Sequence, residues 1–140
     1  DGQILASQAV LIANRAALKE NPAVLAIARQ LLELIEAYQR AQNNVSIFAN
    51  MRGESPEAIA AKVFSQTTIG GLNGPTISNI IRKDGQANWY ALHIVVHRDE
   101  LFAAINELRA IGGSGVVVAP VTYIFEEEPP RYKAMLEALK

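Results

Sequence analysis

The segment NWYALHIVVH, Asn88 to His97, limits the possible folds more than any other stretch. Its even positions, Tyr90, Leu92, Ile94 and Val96, are all apolar, whereas Trp89, Ala91, His93, Val95 and His97 are mixed. A period of two marks a strand with one face in a core. A solvated opposite face would be plainly polar, so the mixed odd positions predict that the open face is covered as well. The segment GVVVAPVTYIF, Gly115 to Phe125, goes further: Val116, Val118 and Val121 run together with Val117, Ala119 and Ile124, apolar on both faces. A second copy of the chain is the simplest cover, because most soluble oligomers are built from identical subunits.

The remaining segments supply partners for these strands. VSIFAN, after Asn44, predicts a strand, and Ser55-Pro56 opens a short helix carrying Ile59 and Val63. GPTISNIIR predicts a strand joined to Trp89–His97 by the turn KDGQ, where Asp84-Gly85 is a hairpin signal. Asp99 is the expected cap of ELFAAINELRAI, whose Leu101, Ile105 and Leu108 share a face. The order β-α-β-β-α-β is the ferredoxin-like arrangement, an α+β fold with both helices on one face of an antiparallel sheet. Ahead of it, Ser7 to Asn14 predicts a lone buried strand. A long helix follows, capped by Asn21, started by Pro22 and stopped at Asn43-Asn44, with Val24, Ile27, Leu31, Ile35 and Tyr38 as one apolar stripe. A last helix begins at Pro129 or Pro130. Residues 1–43 are expected to be the end of another region plus a linker helix, and residues 44–140 the ferredoxin-like domain with its C-terminal helix.

The motif GGSG, Gly112 to Gly115, resembles a phosphate cradle, but such a cradle lies between a strand and the helix that follows it. Here the glycines follow a helix and precede a strand, so Gly112 reads as a left-handed helix stop. The chain has no cysteine, which excludes disulfides, thiol nucleophiles and thiolate metal sites. A net charge of −1 without basic–aromatic stretches argues against nucleic acid as the main partner. No apolar run reaches the roughly 18 residues of a membrane span, and no signal peptide opens the chain. The two histidines, His93 and His97, stand ~13 Å apart on one strand, too far to share a metal ion, and read as solvated or hydrogen-bonded groups. Glu126 to Glu128 read as a solvated helix start. The serines have no triad around them. Asp1 in place of Met predicts a processed or truncated chain.

GLNGPTISNI, NWYALHIVV, LRAIGGSGVVV and PVTYIFEEEPPRY, in that order, resemble the C-terminal regulatory region of long-form ATP phosphoribosyltransferase, the first enzyme of histidine biosynthesis. DGQILASQAVLIANRAAL resembles the stretch that joins the family's catalytic part to that region. The resemblance implies an ACT-like, ferredoxin-like domain within a cytoplasmic hexameric enzyme inhibited by histidine. It implies magnesium for the full-length enzyme and no cofactor in this chain. It also implies that the ribose-phosphate-binding loop lies before Asp1, so that this chain alone is inactive. Effector histidine is expected where regulatory domains meet, against Leu72 and Thr76 of the G-L-x-x-P-T turn, Val95 on the open strand face, and Gly115. Relatives often carry an acid at the end of the first strand, where this chain aligns Asn50, and Glu-Ser in the turn, where it has Asn73-Gly74. Two other readings stay open: a subunit that acts with a separate catalytic chain, and a freestanding ACT-like or PII-like sensor of another small metabolite.

Overall fold

The computed structural model of the chain describes residues 9–140. They divide into two compact units, one made of the described residues up to Glu36 together with Phe125–Lys140, the other of Ala37–Ile124.

The second unit carries the sheet. Its elements are β1 (Asn44–Arg52), α3 (Pro56–Gln66), β2 (Thr76–Asn79), β3 (Trp89–His97), a 3₁₀ turn (Arg98–Glu100), α4 (Leu101–Ala110) and β4 (Ser114–Pro120). Strand order is β2-β3-β1-β4, and every neighbouring pair is antiparallel, which is the ferredoxin-like arrangement predicted from element order. The even residues of β3 are buried as their alternation requires. They join Val45, Ile47, Ala49 and Met51 of β1 in one core, closed by Ile59 and Val63 of α3 and by Ala104 and Leu108 of α4.

Local chemistry sets the helix ends. Ser55 Oγ accepts a hydrogen bond from the Ala58 amide at 3.1 Å, and Pro56 occupies the first helical position, where its missing N–H leaves no gap. At the end of α4, Gly112 adopts φ +95°; its amide donates to Arg109 O at 3.0 Å and that of Gly113 donates to Leu108 O at 2.8 Å. This pair of bonds is a Schellman closure, so Gly112 is a helix stop and the cradle reading fails in three dimensions as it does in sequence. Asp99 does not cap α4 as expected. The 3₁₀ turn intervenes, and the Asp99 carboxylate lies 3.5 Å from His97 Nδ1.

β2 is shorter than the predicted GPTISNIIR strand, and the hairpin signal does not join the two strands directly. The ladder ends at Asn79–Tyr90, and the turn closes between Arg82 O and the Gly85 amide at 3.2 Å, out in a long loop. Side chains hold this loop apart from the ladder. The guanidinium groups of Arg52 and Arg82 lie 4.6 and 4.9 Å from the Trp89 ring centroid. Asp84 accepts from Arg82 at 2.6 Å and from the Gln86 amide at 3.1 Å.

These bonds, the Arg82 bond foremost and the Gln86 amide next, hold the Asp84 carboxyl down at about 2. A depressed carboxyl adds stability above its ordinary value of 3.8 and loses it as pH falls through about 2. Arg82→Gln is expected to return the Asp84 titration, followed by carbon NMR of the carboxyl, toward the ordinary value. An unchanged midpoint would assign the shift to the backbone amide.

The first unit is helical, with α1 (Arg15–Glu20), the start of α2 (Pro22–Gln42) and α5 (Pro130–Leu139). Asn21 Oδ1 accepts from the Ala23 amide at 3.0 Å and the Val24 amide at 3.4 Å, the cap expected of it. The division by compactness falls within α2, and α5 groups with the first helices. Its first turn rests on a buried carboxylate: Glu36 Oε1 accepts from the Arg131 amide at 2.8 Å. The predicted apolar stripe of α2 is mostly exposed. Ile27, Leu31, Ile35 and Tyr38 face solvent, while Leu25, Ala28 and Leu32 are half-buried.

The lone strand predicted for Ser7 to Asn14 is corrected where it can be seen. Ser7 and Gln8 lie outside the described residues, and 9–14 runs as irregular backbone with no ladder partner among them. Asn14 instead caps α1, its Oδ1 accepting from the Ala17 amide at 3.1 Å. No helix among the described residues is long and apolar enough to cross a membrane.

Candidate functional site

Register places the open-face side chains in rows across the sheet, since paired antiparallel residues project to the same side. One row reads Thr76, His93, Phe48, Val117; the next reads Val95, Ser46, Ala119; a third holds Ala91, Asn50 and Ser114. Within a single copy of the chain this face is left open. Val117 is 58% and Phe48 42% exposed. Val118 lies opposite Ile47 and so belongs to the helix-covered face.

The Leu72 amide donates to Val95 O at 3.1 Å, which ties the Gly70–Gly74 turn to the end of β3. Leu72, Thr76 and Val95 thereby line one hollow of about 190 Å³, together with Asn73, Gly74 and His93. Three of the five residues singled out in the sequence meet there. Asn50 and Gly115 do not. They adjoin each other at the β1–β4 pairing, where the ladder shifts register and Ser114 Oγ donates to Asn50 O at 3.3 Å. Asn50 faces Ala91, four residues and ~13 Å along β3 from Val95, beyond the reach of one amino acid.

Gly115 has φ +57°, and a Cβ there would stand 2.9 Å from Asn50 Nδ2. A side chain at Gly115 would thus strain the backbone and push Asn50 aside before it touched any ligand.

The sequence reads His93 as a solvated or hydrogen-bonded group without naming its partner, and the structure supplies that partner. Its Nε2 lies 2.7 Å from Ser46 Oγ, and its ring stacks on Phe48 at 4.3 Å between centroids, 13° from parallel. The detectable signal is a histidine on an open face otherwise rich in apolar residues. Among the described residues, no three His, Asp or Glu side chains gather as a metal site.

Comparison with known proteins gives the family. The model of the HisG C-terminal domain matches residues 41–123. ATP phosphoribosyltransferase 2, chloroplastic, of Arabidopsis thaliana is 43% identical over 141 aligned positions, which cover 99% of this chain and 34% of that protein. ATP phosphoribosyltransferase of Methanocaldococcus jannaschii is 30% identical over 87% of this chain and 39% of its own length. The chain thus spans between a third and two fifths of these relatives. Among solved structures, Arabidopsis thaliana PII bound to citrate superposes with a TM-score of 0.42 and 18% identity over 57% of this chain and 78% of that one, too loosely to bear on function. With residues 41–123 matched, the chain belongs to the HisG C-terminal domain family, the C-terminal region of ATP phosphoribosyltransferases.

Proposed function

We propose that the chain is the regulatory end of an ATP phosphoribosyltransferase, binding L-histidine between copies of its sheet and coupling that binding to assembly. The observation that carries the reading is the split site. Leu72, Thr76 and Val95 line one hollow, while Asn50 and Gly115 adjoin each other at the β1–β4 pairing on the same open face. A second copy that covers the exposed Phe48 and Val117 face sets the Asn50 end of one sheet against the hollow of the other. Leu72 and Val95 then form the apolar wall, and polar groups from both copies fix the ends of the amino acid.

Titration calorimetry with L-histidine, on oligomer verified by light scattering, tests this. Binding is expected with the oligomer and none with monomer. An oligomer that takes up another metabolite but no histidine would establish the sensor reading instead. Asn50→Asp is expected to tighten binding about fivefold, because a carboxylate holds an ammonium more strongly than an amide does, by about 1 kcal/mol.

Transfer chemistry on ATP and phosphoribosyl pyrophosphate belongs, in this reading, to the part of the relatives that this chain does not span. The purified chain is expected to show no turnover with the two substrates. Turnover above background would mean that the reactive groups lie within these residues.

A further inference from the structure

We propose that His93 is the carboxylate-binding residue of the Leu72–Val95 hollow, held in place for that role by Ser46 and Phe48. The inference rests on the effector reading above and names the group that recognises the acid end of the ligand.

His93 is the sole ionisable residue lining the hollow. Its ring is fixed twice, edge-on by the 2.7 Å contact of Nε2 with Ser46 Oγ and face-on by the Phe48 stack. Ser46 is itself buried, so its hydroxyl has little freedom to turn elsewhere. With Nε2 engaged, Nδ1 is the remaining polar atom of the ring. It takes no partner among the described residues, and it is not among the buried unpaired atoms.

The Ser46 hydroxyl can donate to Nε2 or accept from it. Where it donates, the proton of a neutral imidazole sits on Nδ1, which is then a donor, and this is the arrangement the proposal requires. Thr76 lies directly opposite His93 in the β2–β3 register, and its hydroxyl is a second donor on the same face. Cross-strand neighbours have Cβ atoms ~5 Å apart, a span that one carboxylate bridges with its two oxygens. The groups that face the ring are neutral on every side: Ser46 and Phe48 from β1, Thr76 from β2, and Asn73 in the turn. No acid lines the hollow to repel a carboxylate, and no base competes for it. Ligand ammonium, in this arrangement, is left to the Asn50 end of the neighbouring copy.

Two ligands and two variants test the proposal. L-histidinol keeps the imidazole and ammonium of L-histidine but has no carboxylate. Calorimetry on the intact oligomer is expected to show L-histidine binding about tenfold tighter than L-histidinol, the scale of one hydrogen bond to a charged group. His93→Phe keeps the ring that stacks on Phe48 and removes both nitrogens, so the two ligands should then bind alike. His93→Asn restores an amide donor near the position of Nδ1 and should recover most of the preference. Circular dichroism and light scattering confirm that each variant keeps its fold and assembly.

A preference for L-histidine that survives in His93→Phe overturns the role of His93 while leaving the effector site standing. An equal loss of both ligands in His93→Phe and His93→Asn also overturns it, since a packing role weakens them together. If the unaltered oligomer takes up neither ligand, the effector reading falls and this inference with it.

Discussion

Leu92→Ala is expected to lower the free energy of unfolding by about 3–4 kcal/mol, seen as an earlier midpoint in urea with an unchanged slope. Leu92 is fully buried on β3, opposite Ala49 on one side and Ile77 on the other. Its neighbours are backbone-anchored on both sides, so they cannot collapse into the space left by the lost atoms, and a cavity remains. Val117→Ala is the matched control. Val117 lies on the open face of edge strand β4, and its truncation is expected to cost less than about 1 kcal/mol in the separated chain. Equal losses at the two sites would contradict the assignment of core and open faces.

Gly113→Ala is expected to destabilise the chain by about 2–3 kcal/mol, although Gly→Ala elsewhere often stabilises by reducing the freedom of the unfolded chain. A Cβ at Gly113 would lie 2.6 Å from Leu108 O, the carbonyl that accepts the Gly113 amide. The obstacle is backbone, so relief requires opening the Schellman closure or shifting Leu108, itself fully buried. Gly112→Ala meets no atom within 4 Å and pays only for its left-handed φ, about 1–2 kcal/mol. Thermal unfolding should therefore rank the variants Gly113→Ala, Gly112→Ala, unaltered chain, from least to most stable. The reverse order of the two variants would show that backbone conformation outweighs close approach at this helix end.

The ferredoxin-like unit was legible because its determinants are local. The alternation of β3, the Ser55-Pro56 start of α3 and the glycines after α4 each act within a few residues, and each appears where the sequence places it. Long-range competition defeated the rest. Residues 9–14 have strand composition, yet a strand also needs a ladder, and the backbone there turns to the Asn14 cap. Asp84-Gly85 signals a hairpin, but the Trp89 ring beside it is also approached by Arg52, 37 residues earlier in the chain, a contact that no local signal records. The apolar stripe of α2 was visible, but periodicity does not say what lies against it. In the candidate site, motif order located Leu72, Thr76 and Val95 together, while the contact between Ser46 and His93 spans 47 residues and left no mark in either segment.

The stack on Trp89 has a practical consequence. Trp89 is the single tryptophan of the chain, so all indole emission comes from one known place. That place is the end of β3 opposite Arg52, two residues from the Ala91–Asn50 pair. Guanidinium groups so close to the ring make its excited state sensitive to any movement of the loop or of the Arg52 end of β1. The chain thus carries a built-in optical gauge of one rim of its sheet, which can be read in solution without a label or a substitution.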